Sequence, residues 1–244
     1  ANEKIALPSF RDGNPNYGRG QIGLAANFDG KRFIDAGNVA DYGFYDKFSM
    51  AAWVYPLDEK GGAIFTRTKD LNKEMGYGLY LVNGKLQFDL VQRWLDDALR
   101  IETQQTLSPG HWYHVTVSYD GSRTADGAKI YIDGKPAEIK VLLDEFYQTF
   151  KSTEPFRIGG GGGPENRFHG LIDDVSVYSR VLDSEEVRLV SCTDRINEIL
   201  VIPPEKRTDL QVAKLQAFFV ATDAPESIQK TRQRMITLRR QREK

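Results

Sequence analysis

Apolar and polar positions alternate over short stretches of the chain up to about residue 178. The stretches are rich in β-branched and aromatic residues, and no run of helical periodicity separates them. Alternation of this kind predicts strands that are buried on one face. Strands are predicted over residues 20–28, 48–54, 63–68, 77–82, 85–91, 98–103, 112–119, 129–132, 135–139, 156–158 and 168–178.

Asp-Gly and Asn-Gly pairs mark the turns between these strands. Because both residues of such a pair tolerate a positive φ, they favour two-residue hairpin turns. The pairs that begin at Asn83 and Asp133 each lie between two predicted strands and therefore predict hairpins. A meander of short strands favours a two-sheet sandwich or jelly roll over a parallel α/β fold.

The pattern becomes helical after residue 182. Asp183 predicts a helix start, and a Pro-Pro pair interrupts the helical pattern after residue 202. Thr208, with Gln211 three residues later, predicts a capping box at the start of the next helix. We therefore expect a β domain over residues 1–190 and a short α-helical C-terminal extension over residues 191–244, part of a flanking domain.

Composition fits one sizeable core, since 40% of the 244 residues are hydrophobic and 27% are charged. A single cysteine excludes an internal disulfide framework. No apolar run reaches the ~20 residues that a membrane helix needs, so direct membrane insertion is not expected. No signal peptide is recognised at Ala1, so an exported protein would be present here in its mature form.

The net charge of −1 conceals a basic tail. From residue 205 onward, ten Lys and Arg face five Asp and Glu, which leaves +5 on the tail and −6 on the rest. Five arginines of the last predicted helix, Arg232, Arg234, Arg239, Arg240 and Arg242, are spread over nearly every face without interleaved aromatic residues. This distribution favours a solvated or partner-docking helix over a nucleic-acid-binding one.

Four ordered stretches carry a family resemblance, and they are Asn27 to Gly30, Phe48 to Val54, His111 to Gly134 with its Tyr-Asp-Gly and Ile-Asp-Gly turns, and Gly170 to Leu182. Together they resemble the laminin-G-type jelly roll of the concanavalin A-like lectin/glucanase superfamily, over about residues 18–190. The resemblance implies two antiparallel sheets, one of them concave, with loops at the rim.

The helical tail is similar to segments of large exported multidomain proteins of planctomycete-type bacteria. This similarity implies an exported protein with flanking domains. The function expected is a non-catalytic recognition module, carbohydrate-binding or protein-binding, with a glycan or a protein as partner. A structural or protein–protein interaction insert without a glycan ligand and a glycoside hydrolase are the alternatives.

Catalysis is not expected from the distribution of carboxylates. Glycoside hydrolysis needs two carboxylates that face the sugar ~5–9 Å apart. No Glu-x-Asp-x-x-Glu run occurs, and the acidic pairs that begin at residues 96, 144 and 173 are adjacent in sequence. Adjacent residues of a strand point to opposite faces, so such pairs do not converge on one sugar.

A structural calcium ion is implied by the resemblance, which places a carboxylate on the last strand and oxygen ligands near the first. Asp29 and Asp173 match these positions, with Asp174 as a second acidic residue on the last strand. Calcium prefers such hard oxygen ligands. The alternative is that Asp29 is a turn residue and that Asp173 caps backbone amides.

Ligand recognition is expected around Trp94, which lies in an irregular polar stretch between two predicted strands. Sugars bind through aromatic faces and planar polar groups. Arg93, Arg100 and Arg67 lie on or beside neighbouring strands and are expected to share its face, and Tyr42 belongs to another aromatic loop. The alternative is that each of these side chains packs over the edge of the sandwich.

Overall fold

Residues 8–242 are described by a computed structural model of the chain. Packing divides the chain into two compact units, Ala1–Val187 and Arg188–Lys244. Residues 1–7 and 243–244, which the predicted domain ranges include, lie outside the described residues, as do the side chains of Arg232, Arg239, Arg240 and Arg242.

The first unit contains the strands, and helices follow them. In chain order the strands are β1 Ser9–Arg11, β2 Tyr17–Arg19, β3 Leu24–Asp29, β4 Phe33–Asp35, β5 Phe48–Pro56, β6 Gly62–Thr68, β7 Gly76–Val82, β8 Lys85–Arg93, β9 Asp97–Thr103, β10 Tyr113–Tyr119, β11 Ala128–Ile132, β12 Lys135–Pro136, β13 Ile139–Glu145, β14 Arg157–Ile158 and β15 His169–Tyr178. The α-helices are α1 Ser184–Val190, α2 Ile196–Leu200, α3 Asp209–Thr222 and α4 Glu226–Arg242, and 3₁₀ turns occur at Ala125–Gly127, Pro164–Asn166 and Pro204–Lys206.

The strands form two antiparallel sheets. One sheet has the order β1-β4-β14-β6-β7-β8-β9-β13, and the other has the order β12-β11-β10-β5-β15-β3-β2. The all-β sandwich with a helical C-terminal part that the sequence predicts is therefore confirmed, and the sheets have the arrangement of a concanavalin A-like jelly roll.

The core lies between the two sheets. Phe48 and Met50 of β5 enter it from one sheet, and Phe88 and Leu90 of β8 enter it from the other. Their alternation along each strand sends the intervening residues to the opposite face of the sheet. Each such apolar side chain stabilises the fold by about 1.5–3 kcal/mol when it is fully buried.

The hairpin predicted at Asn83-Gly84 is confirmed. Asn83 and Gly84 have φ angles of 50° and 76°, the conformation that a two-residue turn of this kind requires. Val82 and Lys85 then pair directly, which fixes the register of β7 against β8. This register decides which polar side chains share the outer face of the sheet.

The second predicted hairpin is shorter than expected. β12 ends at Pro136, which lacks the amide hydrogen that a strand supplies to its ladder. The chain then crosses to the other sheet, where Ile139 begins β13 and pairs with Thr103. The prediction of one strand over residues 135–139 is therefore wrong.

Several strands at the margins of the sheets were not predicted. β1, β2 and β4 have only three residues each, too few to show a period. The strand predicted over residues 20–28 begins at Leu24 instead, because the Gly20 amide donates to the Gly23 carbonyl and closes a turn.

In the helical part, the predicted capping box is present, but the first predicted helical run is divided into two helices. The Thr208 hydroxyl accepts from the Gln211 amide, and the Gln211 side chain accepts from the Thr208 amide, as the capping box predicts. The helical run predicted between Asp183 and the Pro-Pro pair is two short helices, α1 and α2. Among the described helices, none has the combined length and apolar character of a membrane span.

Candidate functional site

The outer face of the first sheet carries polar side chains along its central strands. Gly78, Asp89 and Arg100 lie directly beside one another on β7, β8 and β9. Tyr80 and Gln87 form the next rung on the same face. The residues between them in sequence enter the core, so the alternation of these strands places this polar set away from it.

A missing side chain at Gly78 makes room on this face. A Cβ at this position would lie 2.7 Å from Cε2 of Tyr80 and 2.8 Å from Cγ2 of Thr66. The Tyr80 ring therefore lies over the backbone of Gly78, in space that a side chain at position 78 would need. The result is a depression in the sheet face with Tyr80 on its floor.

One wall of the depression consists of two loops, residues 69–75 and residues 159–166. Arg167 joins them, since its two terminal nitrogens donate to the two carboxylate oxygens of Asp70, one of them at 2.6 Å. The Gly163 amide also donates to Asp70 at 3.3 Å. The Arg167 guanidinium lowers the pKa of the Asp70 carboxyl, although partial burial opposes this effect. The ion pair therefore fixes the two loops against each other.

Trp94 forms the opposite wall. The guanidinium carbon of Arg100 lies 4.1 Å from the centroid of its ring, and Nζ of Lys73 lies 5.7 Å from the same centroid. Both distances are typical of cation–π interactions. The indole is thus held by one cation of the sheet and approached by one cation of the 69–75 loop.

Between the walls lies an open groove of about 180 Å³. Its lining combines aromatic rings, with Trp94 on one wall and Tyr80 on the floor, with amide and carboxyl groups. The side chains that line it include Thr68, Asn72, Lys73, Glu74, Tyr77, Tyr80, Gln87, Asp89, Trp94 and Asn166.

Asp89 is the buried charged group of this groove. Its side chain is 3% exposed and accepts from Nε2 of Gln87 at 3.0 and 2.9 Å. Burial raises the pKa of Asp89 to about 7, although the Gln87 hydrogen bond and the charge of Arg100 both act to lower it. Within residues 8–242, Asp89 forms no ion pair. The carboxyl is therefore divided between its protonated and ionised forms near neutral pH.

Two of the predicted ligand residues lie at the groove and one does not reach it. Trp94 lines the groove, and Arg100 lies against Trp94. Arg93, the residue before Trp94, instead donates to the Asp96 carboxylate at 3.0 Å in an exposed ion pair. Adjacent residues of an extended segment point in different directions, which separates Arg93 from its neighbour.

The remaining two predicted ligand residues are interior: Arg67, which was expected to share the Trp94 face, and Tyr42, which was expected in another aromatic loop. Arg67 is 2% exposed and donates to the carbonyls of Val39 and Ser152 at 2.6 and 3.2 Å. Tyr42 is 6% exposed, and its ring stacks on Phe48 at a centroid distance of 4.4 Å. Both side chains satisfy buried groups of the fold, so neither is available to a ligand.

The predicted calcium ligands do not converge. Asp29 pairs in register with His169, whereas Asp173 lies four residues further along β15, about 13 Å away at the rise of a strand. Asp29 is also bound to Arg32 at 2.8 Å, and this guanidinium holds the pKa of Asp29 well below its usual range.

Asp173 and Asp174 take part in the backbone structure of β15 and its neighbouring turn. The Asp173 carboxylate accepts from the amides of Ile22 and Asp174 at 2.8 and 2.9 Å, so it caps backbone groups. Asp174 has a φ of 47° at an irregularity in the pairing of β15. Within residues 8–242, no three His, Cys, Asp or Glu side chains are arranged to hold a metal ion. These three aspartates therefore do not fit the calcium site that the resemblance implies.

Sequence reasoning missed Tyr80, Gln87, Asp89 and Lys73, which line the groove. The sequence contains a signal for Tyr80, Gln87 and Asp89. They occupy the outward-facing positions of β7 and β8, and the alternate positions of these strands are mainly leucine and phenylalanine. A buried aspartate within such a strand is unusual, since isolated charges are costly to bury. Lys73 lies in the 69–75 loop, and no periodicity in the sequence predicts that this loop approaches Trp94.

Comparisons with known proteins agree with the sandwich fold. The adhesion G-protein coupled receptor V1 of Danio rerio is 24% identical over 148 residues, a match that covers 57% of this chain and 2% of the receptor. This chain therefore corresponds to a small part of that relative.

Two solved structures share the architecture. The binding domain of Paraclostridial Mosquitocidal Protein 1 has a TM-score of 0.55 at 14% identity, covering 75% of this chain and 47% of that chain. Domain 4 of AbnA, an extracellular arabinanase from Geobacillus stearothermophilus solved with arabinotriose, has a TM-score of 0.53 at 20% identity, covering 76% of this chain and 88% of that chain. At these identities the likeness shows the fold alone.

The family assignment rests on the sequence itself. A laminin-G-type family model, described as concanavalin A-like lectin/glucanases superfamily, matches residues 28–188. This range includes the strands that build the groove. The chain belongs to the concanavalin A-like lectin/glucanases superfamily.

Proposed function

We propose that the β-sandwich is a non-catalytic carbohydrate-binding module and that the groove beside Trp94 is its binding site. The observation that carries this proposal is the combination of aromatic rings and planar polar groups in one open groove on the sheet face. Sugars present apolar ring faces and a rim of hydroxyl groups, which match these two kinds of surface.

Each part of the groove has a role in this proposal. The aromatic rings of Trp94 and Tyr80 offer apolar surface for a sugar ring. The amides of Gln87, Asn72 and Asn166 offer donors and acceptors for hydroxyl groups. The ion pair between Arg167 and Asp70 holds the loop wall in position, so the groove is formed before a ligand enters.

The carboxyl groups of the groove favour binding over hydrolysis. A glycosidase needs one protonated and one ionised carboxyl on opposite sides of the scissile bond. Asp89 has the raised pKa of a proton donor, but Gln87 holds both of its oxygens. The second carboxylate of the lining, Glu74, lies at the rim within 3.8 Å of Nζ of Lys69. We infer that incubation with an oligosaccharide ligand releases no new reducing ends.

We also propose that the module works outside the cytoplasm as one part of a longer protein. The arabinanase whose domain 4 shares this fold is extracellular by its description, and the receptor relative is much longer than this chain. The partners of the chain are then a glycan in the groove and the flanking domains of the full-length protein. The helical extension is the part that would join the sandwich to such a domain.

The proposed domain division has its own test. We expect the β domain to end within residues 178–190 and limited proteolysis to cut first near Pro203 or in the basic tail. Early cleavage confined to residues 50–170 would contradict the division. Mass spectrometry of the first fragments measures the sites directly.

Titration calorimetry with an oligosaccharide panel tests the binding proposal, and arabinotriose belongs to the panel because of the arabinanase domain. We expect at least one oligosaccharide to bind the wild type and Trp94→Ala to weaken it by about tenfold or more, as loss of a central aromatic contact does. Trp112→Ala is the matched control, since Trp112 is also half-buried but immediately precedes β10 and packs near Tyr55 of β5. Absence of any binding would favour the structural or protein-interaction alternative.

A further inference from the structure

The carboxyl of Asp89 has no cationic partner at the base of the groove. Its contact is the neutral amide of Gln87, and within residues 8–242 it takes part in no ion pair. A buried carboxylate is costly unless a cation or several hydrogen bonds compensate its charge. The groove therefore contains an acidic group whose charge an incoming cation would stabilise.

The surrounding cations do not fill this role. Arg100 lies beside Asp89 on β9, but its guanidinium is placed against the Trp94 ring at 4.1 Å. Although the charge of Arg100 lowers the pKa of Asp89, burial outweighs it and the pKa stays at about 7. Lys73 belongs to the loop wall, with its Nζ 5.7 Å from the Trp94 centroid. Neither side chain reaches ion-pair distance of Asp89.

The other groups that face Asp89 are neutral or lie at the rim. Tyr80 of β7 is beside it, and burial raises the pKa of Tyr80, so this phenol is uncharged at neutral pH. Glu74 of the 69–75 loop adds a second carboxylate to the lining. On the far wall, the exposed Arg93 and Asp96 neutralise each other.

Lys73 indicates the chemistry of an occupant. Its ammonium group already lies within cation–π distance of the Trp94 ring, on a loop residue with a φ of 61°. The aromatic wall of the groove thus accommodates a primary ammonium group of the chain itself. A ligand ammonium that displaced Lys73 from this ring would meet, in addition, the Asp89 carboxylate in the lining of the same groove.

We propose that the groove selects a saccharide with a free amino group, whose ammonium pairs with the Asp89 carboxylate in the groove beside Trp94. This inference rests on the proposed function and names its ligand class. Glucosamine residues carry such a group, whereas N-acetylglucosamine residues replace it with a neutral amide. The two sugars therefore separate charge recognition from recognition of the ring.

Titration calorimetry with β-1,4-linked glucosamine and N-acetylglucosamine oligomers of equal length tests the inference. At pH 7.5 we expect the glucosamine oligomer to bind about tenfold or more tightly than its acetylated counterpart, the scale of one hydrogen bond to a charged group. Asp89→Asn should remove this preference, because an amide retains the shape without the charge.

Glu102→Gln is the matched control, because Glu102 lies on the same sheet face but is already paired with Lys85 and Lys140 at 3.5 and 3.6 Å. This variant should keep the preference for the amino sugar. Equal affinity for the two oligomers would overturn the inference, and so would an undiminished preference in Asp89→Asn. Binding of either oligomer that depends on Trp94 would still leave the proposed function intact. Pentalysine that binds as tightly as the glucosamine oligomer would overturn the assignment to a saccharide.

Discussion

The guanidinium carbon of Arg100 lies 4.1 Å from the centroid of the Trp94 ring. One face of this indole is therefore covered by the protein, and in the proposed site the arginine acts on a ligand only through the position of Trp94. The sequence places both residues at one site, but it suggests two independent ligand contacts. The structure assigns them different roles, a wall and its support.

Removal of this support gives the first prediction. Arg100→Ala should weaken oligosaccharide binding by about three- to tenfold, because loss of a cation–π contact of about 0.5–2 kcal/mol frees the indole to move. Acrylamide quenching should rise in the same variant as Trp94 becomes more accessible. Arg93→Ala provides the control, since Arg93 is exposed and pairs with Asp96. Equal loss of affinity in both variants would show that general charge, not support of Trp94, is responsible.

The second prediction concerns the ion pair that joins the loops of the groove wall. Arg167→Ala should lower the free energy of unfolding by about 1.5–3 kcal/mol, because it removes the charged hydrogen bonds to the partly exposed Asp70 carboxylate. Asp70→Asn should also destabilise the fold, since it leaves the buried Arg167 guanidinium with one amide oxygen in place of a carboxylate. Hydrogen exchange in Asp70→Asn should increase in residues 69–75 and 159–166 with little change in β10. Uniform exchange over the whole sandwich would contradict a local role for the pair.

The third prediction concerns the pH dependence that Asp89 gives to stability. In the unfolded chain an aspartate titrates near pH ~4, whereas in the fold the pKa of Asp89 is about 7. Between these values the folded state binds the additional proton, so the contribution of Asp89 to stability falls as the pH rises. Asp89→Asn should therefore raise the free energy of unfolding by about 1–3 kcal/mol at pH 7.5, and the gain should shrink toward pH ~4.

Urea unfolding of both proteins at a series of pH values measures this gain. A gain that is constant over the series would contradict a titrating Asp89. Asp89→Asn is also the variant used in the ligand experiments. Because it is expected to be more stable than the wild type, a loss of preference for an amino sugar cannot be explained by unfolding.

The fourth prediction concerns Asp173. Because its carboxylate caps the amides of Ile22 and Asp174, Asp173→Ala should destabilise the fold by about 1–3 kcal/mol. We expect a chelator to leave the Tm of the wild type unchanged, since Asp29 and Asp173 do not share a site. Thermal unfolding with and without chelator checks both statements. A Tm that falls with chelator in the wild type, and does not fall in Asp173→Ala, would restore a calcium site at this aspartate.

The fold was predictable where local chemistry and tertiary structure agree. Asn83-Gly84 requires little from the rest of the protein to form its turn, and the strands on either side have clear alternation. β13 was missed because its chain is an edge strand that pairs on one side only, with residues such as Val141 partly exposed. The end of β12 at Pro136 depends on the path of the chain between the sheets, which turn chemistry alone does not specify.

The candidate site was predictable in part for the same reason. Trp94 stands out as an aromatic residue in a polar connection, and the structure places it at the groove. The burial of Arg67 depends on carbonyl groups of Val39 and Ser152, which are distant in sequence, so no local pattern reveals it. Asp89 acquires its altered acidity from strands and loops that meet only in the folded state.

The central claim, a glycan site beside Trp94, is tested most directly by the indole signals of the three tryptophans. Trp53 is buried, Trp112 immediately precedes β10, and Trp94 lines the groove. In NMR spectra of protein labelled with ¹⁵N-tryptophan, assigned by substitution of each residue, addition of the oligosaccharide that binds in calorimetry should shift the Trp94 indole signal and leave the other two in place. A bound oligosaccharide that shifts Trp112 and leaves Trp94 unchanged would contradict the account.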